Sequence, residues 1–361
     1  MAALSDQLLV FAILGYLVAM ICHAAEYALG TGRAPGKAAV RPARELVAVR
    51  AGAAPTDGGL IDGGLIDGGL IDGGLIDGGP GDGGLIDGGP ADGGPGDGPT
   101  PPVDEPGSAR AALAGQAAVV LTMIAAVVHL GVLVTRGVAA DRMPWGNMYE
   151  YVLTVTFVGA AAWLWLLSRR PALRQLGLFV ALTMVLLLAV AALVLYVPIV
   201  PLVPALDSYW FVIHVATIVF SSGLLLLGFV PAAMHLIRSG YEQGRRSFPY
   251  TLGARVPAAA ALERLTFRLH AFAFPIFTFA VMAGAVWAEA AWGRYWGLDP
   301  KETWAFISWV VYAGYLHARA TPSVKRSTAT WIAVIGFLTM QMNLYGVNMF
   351  FEGLHSYGGL D

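Results

Sequence analysis

The sequence predicts an all-α membrane protein: a polytopic bundle of about eight transmembrane helices, with one long disordered loop between helices 1 and 2. Three observations carry this. Of 361 residues, 57% are hydrophobic and 13% charged, with a mean hydropathy of +0.65; a soluble domain has about 45–50% apolar and about 25% charged residues. The apolar residues gather into eight separate stretches, each near the roughly 20 residues that a bilayer-crossing helix needs. The basic residues gather in alternate connections, which is how cytoplasmic loops are marked.

Taken in order, the stretches lie near 6–28, 112–138, 148–168, 173–197, 209–238, 268–289, 302–319 and 327–350. The first reads as a retained span rather than a signal peptide. Met1 to Gln7 carries no positive charge, and the basic residues follow the apolar run instead of preceding it. Residues 31–110 then form an acidic, Gly-rich linker. Between 51 and 108 there are ten Asp, one Glu and no Lys or Arg. Leu-Ile-Asp-Gly-Gly begins at Leu60, Leu65, Leu70, Leu75 and Leu85, with Pro-Gly-Asp and Pro-Ala-Asp variants up to Pro99. Calcium-binding β-helix repeats also use Gly and Asp, but with a period of nine rather than five. With few apolar side chains and no aromatics, the segment lacks the means to bury a core and reads as disordered.

Orientation follows from charge. If both termini lie outside, 18 of the 22 Lys and Arg residues fall in inner loops, and only Arg136, Arg142, Arg294 and Lys301 lie outside. The linker is then cytoplasmic, and the loop 287–304 faces outward. Cys22 is the one cysteine. That excludes an internal disulfide, a cysteine zinc or iron–sulfur site, and a Cys-x-x-Cys-His haem-attachment segment within this chain.

Five of the ten tryptophans, Trp287, Trp292, Trp296, Trp304 and Trp309, surround the loop between spans six and seven. An aromatic belt at the membrane interface explains Trp304 and Trp309. It explains Trp292, Tyr295 and Trp296 less well, because they stand in a Gly-containing loop outside the span. Flat faces on one loop also suit a flat apolar ligand with charged edges, such as a porphyrin. Asp299-Pro-Lys-Glu302 reads as a helix start, with Asp at the N-cap, Pro at the first helical position and Glu at N3. A helix N-terminus also attracts anions, so capping and ligand contact are compatible.

Seven histidines occur. His214 lies near the outer end of span five, and His355 follows span eight on the same side. His317 lies near the inner end of span seven, with Ala313 and Gly314 one turn before it. Each reads either as a hydrogen-bonded interior histidine or as an intramembrane functional group. The two outer histidines flanking an aromatic loop suggest a bis-histidine haem site, with His317 in a second, inner one. His129 and His23 are weaker candidates, and His235 and His270, among basic residues near the inner surface, are expected to be solvated. Asn147 or Asp141 is expected to cap span three. No catalytic role follows for Glu150.

The segment Trp292-Gly-Arg-Tyr-Trp-Gly-Leu-Asp-Pro-Lys-Glu-Thr303 resembles the tryptophan-rich signature of the haem-handling protein superfamily. Its Asp-Pro-Lys-Glu-Thr ending is similar to that of the CcsA/ResC family (CcsB in some naming) of system II cytochrome c biogenesis. The resemblance extends over nearly all of 112–361. It includes Pro144-x-x-Asn147-x-Tyr149-Glu150, Trp210-Phe-Val-Ile-His214, Tyr315-Leu-His317-Ala-Arg319, Gly346-Val-Asn348 and Leu354-His-Ser-Tyr-Gly358. The chain departs from the pattern at Leu298, where the family has a tryptophan; one aromatic wall is then weaker or supplied by Trp304.

The apolar run makes 1–30 the first transmembrane helix, and the resemblance implies a haem-handling membrane domain at 111–361. His214 and His355 are implied as outer axial ligands to haem iron. His317 is implied as the ligand of an inner haem, opposite a histidine of a ResB-like membrane partner. Trp292, Tyr295, Trp296, Asp299 and Trp304 are implied as the haem platform, and His214, His355 and Asp299 as the residues serving attachment. The implied activity is transport of haem b across the plasma membrane and its attachment, as part of a holocytochrome c synthase, to an apocytochrome c bearing Cys-x-x-Cys-His. A thiol-reducing protein would serve the client. The alternatives are a haem exporter or chaperone without lyase activity, as in the CcmC branch, a transporter for another flat amphipathic ligand, and a structural subunit of a respiratory complex.

Overall fold

The computed structural model describes residues 1–30, 106–202, 206 and 208–355. The repeats between Leu60 and Pro99, expected to be a disordered linker, lie outside the described residues. Those described belong to one compact unit, all helical, with no strand among them. The helices are α1 (Ala2–Leu29), α2 (Pro106–Ala140), α3 (Met148–Arg169), α4 (Gly177–Leu193), α5 (Tyr209–Glu242), α6 (Ala259–Trp292), α7 (Pro300–Ala320), α8 (Arg326–Gln341) and the single turn α9 (Val347–Phe350). Seven segments are long and apolar enough to cross a membrane. α7 is not among them. Its 21 residues span about 31 Å at 1.5 Å per residue, but Lys301 and Glu302 at one end and His317 and Arg319 at the other shorten its apolar stretch.

Two antiparallel pairs, α1 with α2 and α5 with α6, make the most extensive contacts; α3 lies against α5, and α8 against α5 and α7. Small residues permit the close approaches, as where Gly223 of α5 meets Val155 and Val158 of α3. One end of the bundle carries the Trp292–Asp299 connection and is called here the tryptophan end. The opposite, basic end carries the connections after α3, α5 and α7.

At the tryptophan end, the start of α3 is fixed by polar groups that the helix itself cannot satisfy. Asn147 caps it, its side chain accepting the Glu150 amide at 2.9 Å; Asp141 does not, and lies at φ 50° in the preceding turn. Glu150 is 0% exposed. It accepts from Arg136 Nε at 2.8 Å, Arg142 Nη1 at 2.6 Å and the Gly146 amide at 2.8 Å. The same two arginines also donate to the carbonyls of Val197 and Val200. Glu150 therefore buckles α2, the 141–147 turn and the segment after α4 together. This accounts for two of the four basic residues expected on this side.

α6 starts nine residues before the span expected near 268. For that reason His270 is not solvated: it lies eleven residues along the helix, 1% exposed, with Nδ1 donating to Thr266 O at 2.8 Å and its ring between Tyr312 and Tyr315. His235 is likewise buried, its Nδ1 donating to Ala259 O at 2.9 Å where α6 begins. His23 pairs with Glu26, which also binds Arg174. His129 is buried between the rings of Tyr16 and Phe157.

Candidate functional site

A cavity opens at the tryptophan end between α3, α5, α6, α7 and α8, with His214 and His355 both in its wall. His214 is reached two turns after the α5 N-cap, Ser208, whose side chain accepts the Trp210 amide. The Nδ1–Cε1 edge of its ring packs against α6. A Cβ at Gly284 would stand 2.8 Å from ring atoms, so the close approach requires glycine there. Nδ1 lies 2.8 Å from Ala280 O. A carbonyl only accepts, so Nδ1 carries the proton and Nε2 presents its lone pair, the arrangement in which an imidazole ligates a metal. The ring also stacks on Trp287, centroids 5.9 Å apart at 13°.

His355 approaches the same tryptophan from the other end of the domain, 5.8 Å from Trp287 and 5.0 Å from Trp292. Its Nδ1 meets Asp299 Oδ1 at 3.0 Å. Asp299 Oδ2 accepts the Leu354 amide at 2.8 Å, and Oδ1 also accepts the Lys301 amide at 3.1 Å. The capping box expected at Asp299 and Glu302 is present, so one carboxylate both starts α7 and orients His355. Burial by itself would raise its pKa. The bond to His355, the charge of that ring and the two amides outweigh burial and hold the carboxyl below its ordinary value.

Trp292, Tyr295 and Trp296 line the cavity, and Trp304 does not. The aromatic wall is completed instead by Trp287, which packs edge-on to Trp292 at 5.0 Å, and by Trp145 from the turn before α3. Leu298, standing where a tryptophan is usual, points away: it is 76% exposed at φ 58°. Glu302 holds this left-handed turn by accepting the amides of Gly297 and Asp299.

His317 is not brought to this cavity. It is exposed on α7 toward the basic end, and a Cβ at Gly314, one turn before, would meet nothing within 4 Å. Sequence reasoning passed over Trp287 as a site residue, and also Tyr151, Ser222, Asn343 and Tyr345, all in the cavity wall. The legible signal was polar residues inside apolar spans.

Residues 145–355 match the family model described as cytochrome C assembly protein. Curated relatives carry the name cytochrome c biogenesis protein CcsA. That of Guillardia theta is 34% identical over 256 residues, covering 66% of this chain and 85% of the relative. That of Cyanophora paradoxa is 31% identical over 267 residues, covering 63% and 82%. That of Gloeobacter violaceus is 29% identical over 286 residues, covering 64% and 82%. The match spans the tryptophan loop, both cavity histidines and Glu150, and the chain belongs to the CcsA family of cytochrome c assembly proteins.

Proposed function

We propose that this chain delivers haem b to the outer face of the plasma membrane and, beside a ResB-like partner, holds it for attachment to apocytochrome c. The observation that carries this reading is the convergence of His214 and His355, 141 residues apart, on one tryptophan-walled cavity. Haem is the substrate. The lone pair of His214 Nε2 suits one axial position of its iron, and His355, oriented by Asp299, suits the other. Trp287, Trp292 and Trp296 offer apolar faces to the porphyrin and exclude water. Both termini and the tryptophan loop lie outside in this reading, as the arginine distribution expects, and residues 31–110 serve as a cytoplasmic linker.

Attachment adds each thiol of Cys-x-x-Cys-His across a haem vinyl group. An S–C bond forms, the S–H bond breaks, and its proton goes to the other vinyl carbon, with no net redox change. A thiol-reducing protein keeps the client's cysteines available. The client's own histidine then displaces one of the pair and the product leaves. The exposed His317, with open space at Gly314, suits an inner haem shared with a histidine of the ResB-like partner.

The test is cytochrome c maturation in a host lacking its own system, with the ResB-like partner supplied. His214→Gly and His355→Gly are each expected to abolish maturation, and millimolar imidazole, small enough to enter the vacated position, to restore it in part. Normal maturation by His214→Gly without imidazole would reject the bis-histidine site.

A further inference from the structure

The cavity is apolar over most of its wall, but its deep end is not. Ser222 lies eight residues along α5 from His214, about 12 Å closer to the basic end. Its Oγ is 3.1 Å from Tyr151 Oη on α3. Two hydroxyls share that contact and only one proton is needed for it, so one O–H remains to donate. α8 ends in a π-helical turn, Met342–Gly346, a distortion that often re-aims side chains at functional sites. It carries Asn343 and Tyr345 into the same wall. Asn343 Oδ1 and Tyr345 Oη are shielded from solvent and have no hydrogen-bond partner among the described residues. Orphaned polar atoms in a membrane interior are costly unless something meets them.

These groups of α3, α5 and the turn after α8 lie in the wall of the one cavity that His214 also lines. We infer that Tyr151, Ser222, Asn343 and Tyr345 form a subsite for the propionate carboxylates of the haem, which sets the porphyrin with its propionate edge deep and its vinyl edge toward the mouth. Tyr345 Oη and the spare O–H of the Tyr151–Ser222 pair are the donors, and Asn343 joins them with its amide N–H when its side chain turns the nitrogen, rather than the unpartnered Oδ1, to the carboxylate. The orientation is the one that attachment requires. Thiols of a water-soluble client arrive at the mouth, and the vinyl and propionate edges lie on opposite sides of the macrocycle. The inference rests on the reading of the histidine cavity as a haem site. Its competitor is Lys301, the one lysine or arginine among the described wall residues, which stands in the first turn of α7 at the tryptophan end and would draw the propionates outward.

Three probes decide it on the purified full chain: haem b, its propionate dimethyl ester, and mesohaem, which keeps the propionates but has ethyls for vinyls. The wild type should bind haem b and mesohaem alike and the diester about tenfold more weakly, the loss expected when hydrogen bonds to a charged group are removed. Tyr345→Phe and Ser222→Ala, which change shape little, should narrow that preference, and Tyr345→Phe with Asn343→Leu should nearly erase it. The bis-histidine absorption spectrum of bound haem b should stay the same in all of them. Equal binding of haem b and diester by the wild type, with that spectrum intact, overturns the subsite and leaves the histidine site standing. So does a preference erased by Lys301→Met but untouched in the deep variants. A wild type that takes up none of the three probes removes the histidine reading itself, and this inference with it.

Discussion

His214 and His317 each lie on a long helix near a glycine, and the two glycines do opposite things. Gly284 is filled by the His214 ring to within 2.8 Å of where a Cβ would stand, whereas Gly314 beside His317 opens on nothing within 4 Å. The first histidine is completed inside the chain: a carbonyl fixes its proton and an indole fixes its plane. The second is exposed and is finished by nothing among the described residues. A glycine in a membrane helix thus marks either a contact already made or room left for one, and only packing tells which.

The sharpest way to break this comparison is to fill both spaces. Gly284→Val forces the His214 ring off α6, and maturation activity is expected to be lost with protein level retained. Gly314→Val should leave the haem spectrum of the chain alone and affect activity only when the ResB-like partner is present. Equal effects of the two would erase the distinction.

Next in size is the buckle behind the His214 wall. Glu150→Ala leaves Arg136 and Arg142 buried without their carboxylate, which costs about 3–5 kcal/mol. The thermal unfolding midpoint in detergent should fall, and the turn bearing Trp145 and Asn147 should loosen first. His317 should keep its exposure, as read by chemical labelling of the ring.

Asp299 separates capping from charge. Its carboxyl is held below the ordinary value near 3.9, so the stability it contributes is present above that pH and disappears as pH falls through the folded-state pKa. Asp299→Asn keeps the N-cap and loses the carboxylate charge that faces His355. Its unfolding midpoint should therefore fall by the equivalent of about 1–2 kcal/mol at neutral pH and drop less than the wild type's on acidification below about pH 4, the remaining drop coming from the other paired carboxylates such as Glu150. A wild-type midpoint flat through that range would show that the Asp299–His355 contact carries no charge term.

The smallest expected effect is at Leu298. Glycine tolerates its left-handed backbone, so Leu298→Gly should raise stability by up to about 1 kcal/mol. Haem retention should not change, because the side chain points away from the cavity. Weaker retention would instead place Leu298 against the substrate.

Much of the architecture was legible because a bilayer writes itself into composition. Helix α1 and helices α3 to α5 lie within a few residues of the apolar stretches, since length and hydropathy alone decide which segments can cross hydrocarbon. Asp299 as N-cap and Glu302 as its partner were equally legible, because a capping box is local and its spacing is invariant. α6 was read too short at its start because Glu263, Arg264 and Arg268 end an apolar window without ending a helix. His235 and His270 were misjudged for the same reason, their burial depending on that extra length and on α5 and α7 beside it.

What the sequence determined by itself is therefore what neighbouring residues decide: the helical, membrane-spanning class and the capping box that starts α7. The tertiary structure decided the rest. It set Trp287 rather than Trp304 in the cavity, paired Glu150 with two arginines, and carried Asn343 and Tyr345 to the deep end on a π-turn. It also brought His355 to Asp299, 56 residues away. Those outcomes depend on which helix faces which and at what depth, and helix packing is set by complementary shape between distant segments, a property that no local window of sequence contains.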